Sequence, residues 1–185
     1  MSESSLTRGA RTRDFRWRAA YLCAAVAVFM ADQATKAWAV RRLRFGETVK
    51  AGGFLQFAYA ENTGIAFGRL QDGGEFGRWM LATLATLAIV GLLLYFFRTR
   101  RTDDRILGAI ALLLAGVGGN LIDRVRLGHV VDFIEVFIGS YQWPTFNVAD
   151  AAICAGAALL ALDLILEGRK DGGRQRTPTA VASDK

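Results

Sequence analysis

Read for hydropathy alone, the chain divides into four apolar runs, about 19–38, 79–97, 106–122 and 148–166, set between polar segments. Each is about 17 to 20 residues long, the length a helix needs to cross the ~30 Å hydrocarbon core of a bilayer. The second run, "WMLATLATLAIVGLLLYFF", contains no charged residue, whereas a surface helix of a soluble protein has a polar face. The pattern predicts an all-α membrane protein built on four transmembrane helices. The segments outside it, a basic tail at 1–16 and a second tail at 168–185, are rich in Arg, Gly, Ser and Thr and are expected to be disordered. Residues 17–167 then form one four-span domain.

The period changes in the link between the first two runs, residues 41–78. Leu55, Phe57 and Tyr59 alternate with Gln56, Ala58 and Ala60, which is the period-2 pattern of a strand. "HVVDFIEVFIG" (129–139) is also β-branched and aromatic and is followed by a turn at Gly139-Ser140. A small extracytoplasmic β-sheet segment over the four helices is therefore expected.

Composition agrees, with 52% hydrophobic residues and a mean hydropathy of +0.25 over 185 residues. A net charge of +6 and a pI of about 9.8 would by themselves fit a nucleic-acid partner, but the placement of the charges argues against one. Fourteen of the 23 lysines and arginines lie in three segments: 8–18, 98–105 and 169–185. With four spans these share one side, which the positive-inside rule makes cytoplasmic. Arg41, Arg42 and Arg44 after the first run dilute the signal without reversing it. The expectation is a multi-pass membrane protein with both termini cytoplasmic. The first run is too long for a cleaved signal sequence and leads straight into charged residues. Cys23 and Cys154 sit inside apolar runs as small hydrophobes, and His129, the one histidine, has no metal-ligand partner at a suggestive spacing. Neither a disulfide nor a metal site is expected.

Ionisable groups inside spans cost several kcal/mol unless partnered, and so are functional candidates. At 1.5 Å per residue, Asp32 lies ~21 Å above Arg18, Asn120 the same distance above Ile106, and Asp150 ~25 Å above Glu167. Three helices thus deliver polar side chains to one level, the outer third of the bilayer. Gly116, Asn120, Asp123 and Arg124 share a helix stripe, and Asp32–Lys36 is an i, i+4 pair. A structural alternative is a set of interfacial ion pairs, Asp32–Lys36 and Asp123–Arg124, closing the top of the bundle. Asp163, turned off this face ~20 Å below Asp150, is expected to be a structural group near the cytoplasmic arginines.

Asp132 and Asp150 have no adjacent cation. Asn147 precedes Asp150 by three residues and also suits a plain N-cap. Two carboxylates brought together at low dielectric share a proton, so that one can act as base on a water while the other donates to a carbonyl oxygen. That is aspartyl peptide hydrolysis. Asn62-Thr63-Gly64 reads as a turn and Phe67 as a strand residue or membrane anchor. A proton-coupled transporter would spread its carboxylates along a path across the membrane, and a non-enzymatic scaffold would use them only to fasten helices.

"DQATK" (32–36), "ENTGIAFG" (61–68), "GNLIDR" (119–124), "GHVVDF" (128–133) and "FNVADA" (146–151) together resemble the lipoprotein signal peptidase (signal peptidase II) family of bacteria. The resemblance covers nearly all of the chain from Asp32 to Asp150. It implies an intramembrane aspartic endopeptidase that removes the signal peptide from prolipoproteins just before a diacylglyceryl-modified cysteine. It puts the catalytic dyad on Asp132 and Asp150. Substrate-contacting or supporting positions fall on Asp32, Lys36, Asn62, Phe67, Gly116, Asn120, Asp123, Arg124, Val130, Asn147 and Ala149. Locally, Arg124 is expected to hold its neighbour Asp123 ionised. The resemblance further implies a lipid-modified prolipoprotein as partner, membrane lipids as surroundings, inhibition by the cyclic peptide globomycin, and no cofactor.

Overall fold

The computed structural model describes residues 3–64, 74–99 and 103–174, with side chains from Trp17 to Glu167 within those ranges. The elements, in order, are α1 (Glu3–Leu43), β1 (Thr48–Lys50), β2 (Leu55–Asn62), α2 (Gly74–Arg98), α3 (Asp104–Leu127), β3 (Val130–Ile138), β4 (Tyr141–Gln142) and α4 (Val148–Arg174). The backbone of 3–16 and 168–174, expected to be disordered, is helical. No proline interrupts either stretch, so α1 and α4 run on past their apolar segments.

Three of the helices are long and apolar enough to cross a membrane by length and composition: Glu75–Arg98, Asp104–Leu127 and Val148–Glu167. The apolar stretch of α1 is interrupted by Asp32 and Lys36, which is why it does not qualify by the same measure. α2 is the least enclosed of the three candidate spans and α3 the most, so α3 forms the axis of the bundle. Leu84, Leu87, Val90 and Leu94 point outward from α2, as a lipid-facing surface would.

Small residues set the packing. A Cβ on Gly116 of α3 would lie 2.4 Å from the Ala149 carbonyl oxygen, and one on Gly156 of α4 would lie 2.8 Å from that of Ala109. The α3 and α4 backbones therefore touch, as membrane helices do where glycine lines the contact. At the end far from the sheet, Phe96, Leu107 and Ile110 pack with Tyr21 and Leu22. Midway, Ala25 packs on Ala111 and Ala115.

The strands form one antiparallel sheet in the order β1-β2-β3-β4. The two predicted strands are β2 and β3, and the turn at Gly139-Ser140 links β3 to β4. β1 and β4 were too short to register as patterns. Val131 and Phe133 bury one face of β3 against Ala39 and Leu43 of α1, so the sheet rests on the end of the first helix. α3 passes into β3 through Gly128, whose φ of 86° and N–H to the Arg124 carbonyl make it a left-handed cap.

Candidate active site

The start of α4 is built as a reciprocal cap. The Asp150 N–H donates to Asn147 Oδ1 at 2.9 Å, and the Asn147 N–H donates back to Asp150 Oδ2 at 3.2 Å. Asn147 is thus an N-cap, the alternative its position also suits, and the exchange fixes the Asp150 side chain by the logic of a capping box. The residue before it, Phe146, exchanges backbone hydrogen bonds with Ile134 of β3. That stitch brings Asn147 beside Asp132. In β2 the register slips between Phe57 and Ala60, opposite Asp132 and Ile134. Such a bulge re-aims neighbouring side chains.

Three asparagines then orient the two carboxylates. Asn120 Oδ1 accepts from the Lys36 ammonium at 2.9 Å, which forces its Nδ2 toward Asp150 Oδ1, 2.8 Å away. Asn62 Oδ1 accepts the Gly64 N–H at 2.8 Å, closing the predicted turn, and its Nδ2 donates to Asp132 Oδ2 at 2.8 Å. Asn147 Oδ1 is held by the Asp150 N–H, so its Nδ2 donates to Asp132 Oδ1 at 2.7 Å. In each case a donor that cannot accept fixes one end of the amide, and the other end must face a carboxylate.

Beneath this layer lies an ionic cluster. Lys36 Nζ stands 3.0 Å from Asp32 Oδ2 and 2.8 Å from Asp123 Oδ2, with all three side chains nearly inaccessible. The cation holding Asp123 is thus Lys36, and the expected Asp123–Arg124 pair does not form. Consecutive helix residues point about 100° apart, so Arg124 turns away and donates to the Asn120 carbonyl. Its Nε is buried without a partner. Asp163, by contrast, stands apart from the network and pairs with Arg105 at 2.9 Å.

Burial pushes the Asp132 carboxyl up to about 6, and the nearby Asp150 charge adds to the rise. The amides of Asn62 and Asn147 and the Lys36 charge pull the other way. Among the described residues no three His, Cys, Asp or Glu side chains are grouped so as to hold a metal ion.

Residues 24–166 match the family model described as signal peptidase (SPase) II. The chain belongs to that family. The lipoprotein signal peptidase of Cellvibrio japonicus (strain Ueda107) is 40% identical over 154 residues, covering 83% of this chain and 91% of the relative. That of Geobacter sulfurreducens (strain ATCC 51573 / DSM 12127 / PCA) is 42% identical over 141 residues, covering 75% and 87%. A bacterial membrane enzyme solved at 1.9 Å by the in meso method superposes with a TM-score of 0.71 at 31% identity, covering 79% of this chain and 92% of that one. A second, solved at 2.3 Å, gives 0.70 at 29%, covering 88% and 94%. A signal peptidase II is a protease, and the apolar helices of this chain are those of a membrane protein.

Most residues singled out from the sequence meet in one place. Asp32, Lys36, Asn120, Asp123, Asn147, Asp150, Asp132 and Asn62 form one connected polar network. Val130 pairs with Asn62 across the sheet, and Ala149 donates its N–H to Asp32. Phe67 lies outside the described residues. Sequence reasoning missed Gln33, whose amide reaches Asp32, the Gly119 carbonyl and Asp123. It also missed Gly119, where a Cβ would meet Asp32 Oδ2 at 2.4 Å, and Arg78, which donates from α2 to the Arg124 and Val125 carbonyls. A glutamine next to an intraspan aspartate and a glycine next to Asn120 were the available signals.

Proposed function

We propose that this protein is an intramembrane aspartic endopeptidase that removes the signal peptide from diacylglyceryl-modified prolipoproteins, cutting before the lipidated cysteine. Asp132 and Asp150 are its dyad. The observation that carries this reading is that Asn147 binds both carboxylates at once, one through its side-chain amide and one through its backbone N–H. Two acids from a strand and a helix are thereby held together by a single residue, near the half-buried Arg124, whose Nε is an unpartnered donor.

The raised Asp132 carboxyl favours a pair that carries one proton between them. The ionised member takes a proton from water, whose oxygen attacks the scissile carbonyl carbon. The protonated member donates to the carbonyl oxygen as it becomes a tetrahedral hydroxyl. Collapse restores the carbonyl, breaks the C–N bond and sends a proton to the leaving amine. Arg124 Nε, buried and unpartnered, supplies a donor for the peptide backbone.

In this reading α1 is the fourth span, both termini are cytoplasmic and the dyad opens toward the extracytoplasmic face of the inner membrane. A lipidated cysteine keeps its chains in the outer leaflet while its backbone reaches the dyad, so lipidation acts by fixing depth and orientation. Globomycin would compete for the same space.

The test is cleavage of a synthetic prolipoprotein peptide by the purified protein. Asp132→Asn and Asp150→Asn should each lower kcat by about 10³-fold or more with the thermal midpoint nearly unchanged. The same peptide without its diacylglyceryl group should be cut far more slowly. Robust turnover by either variant would refute the dyad, and equal rates on lipidated and bare peptide would refute selection by depth.

A further inference from the structure

A cavity lies beside the ionic cluster, with Lys36, Asp123 and Val131 of β3 in its wall. Its volume is about 310 Å³, at the lower end for small-molecule pockets. Its walls are apolar, from Ala37 and Val40 of α1, Leu127 at the end of α3, and Val131. Its polar lining includes Lys36 and Asp123, which already neutralise each other. Gln33 adds an amide to this lining, and two further residues, Arg41 and Arg126, complete it; both arginines are exposed. They lie in the last turns of α1 and α3 and have no carboxylate partner among the described residues. Neighbouring Arg42, by comparison, faces Glu47.

A lone arginine at a helix C-terminus is accounted for by the helix dipole. Two that converge on one apolar cavity call for an anion between them. The surroundings say which kind. Arginine forks match phosphate oxygens with paired N–H donors, the cavity walls suit hydrocarbon, and helix ends that emerge from a bilayer stand at headgroup level. We infer that this cavity binds an anionic phospholipid, its phosphate between Arg41 and Arg126 and an acyl chain along Ala37, Val40 and Leu127. Lys36 and Asp123 line both this cavity and the network around the dyad, so the bound lipid shares a wall with the active site. The inference rests on the membrane placement and not on the peptidase chemistry, because binding is read without substrate.

The experiment reconstitutes the full chain in phosphatidylcholine nanodiscs doped with phosphatidylglycerol, then counts retained lipids by native mass spectrometry. The wild type should keep one phosphatidylglycerol in preference to phosphatidylcholine and gain in thermal midpoint. Arg41→Gln and Arg126→Gln should each weaken retention by about fivefold, and the double variant by more. Arg44→Gln, which alters an arginine outside the cavity, should leave it unchanged. Arg126→Lys should keep part of the preference. Equal retention by wild type and double variant would overturn the proposal. So would the same thermal gain from inorganic phosphate alone, which would mark a soluble-anion site.

Discussion

Asp32 of α1 accepts the backbone N–H of Ala149 at the start of α4, 2.8 Å apart in space and 117 positions apart in the chain. Its second oxygen faces Lys36. A carboxylate from one helix therefore caps another, and does so while neutralised by its own helical neighbour. With the Asn147–Asp150 exchange, the N–H groups of Asn147, Ala149 and Asp150 all find side-chain acceptors. Each such cap contributes about 1 kcal/mol, and together they set where Asp150 points.

Removing the cation should show how much rests on it. Lys36→Met leaves Asp32 and Asp123 buried without a counter-charge, a change that costs about 3–5 kcal/mol where a buried pair is broken. We expect the thermal midpoint in detergent to fall by roughly 10 °C. Adding Asp123→Asn to that variant should recover part of the loss. An unchanged midpoint in the single variant would contradict the ionic cluster.

The pH profile should carry the mark of Asp132. A pair sharing one proton loses it as pH rises through the raised value near 6, so kcat/KM should fall on the alkaline side with a limb close to pH 6. The Asn62 amide favours the ionised form. Asn62→Ala should therefore move that limb upward. For stability, the folded protein holds this proton more tightly than the unfolded chain. That contribution is complete below about pH 4 and is lost as pH rises through about 6.

Gly116→Ala tests the α3–α4 contact. The added methyl would fall 2.4 Å from the Ala149 carbonyl and 2.7 Å from Ile153 Cγ1, so one helix must move. Overpacking of this kind costs about 1–3 kcal/mol, and the displaced element carries Asp150. Cleavage should drop by a larger factor than the stability loss alone accounts for. Gly91→Ala, at a glycine with open space around it, should do neither.

Topology can be read with reporters. A fusion after Lys185 should behave as cytoplasmic, and a tag placed between Gly52 and Gly53, in the exposed link from β1 to β2, as extracytoplasmic. Both reporting one compartment would exclude three crossings between the sheet and the C-terminus, and with them the four-span arrangement.

Hydropathy made the helices and the two longer strands legible, because burial acts on every residue of such elements. Charge in an apolar run made Asp32, Lys36, Asp123 and Asp150 legible for the same reason. Partner choice was not. Arg124 stands next to Asp123 in the chain, yet Lys36, on another helix, is the residue that reaches it. Gln33 and Gly119 carry no charge to mark them, and their contributions, a three-way amide and a missing side chain, exist only once α1 and α3 are packed. β1 and β4, of three and two residues, are created by pairing with neighbours and not by any pattern of their own.

The close approach of α3 to both α1 and α4 constrains the gene. Every base change that replaces glycine at codons 116, 119 or 156 introduces a Cβ, and at each the nearest atom would lie under 3.0 Å. These codons have no smaller residue to retreat to and no room for a larger one. A saturation library screened for prolipoprotein cleavage should keep them fixed while the outward positions of α2, such as Leu84 and Leu87, exchange freely among apolar residues.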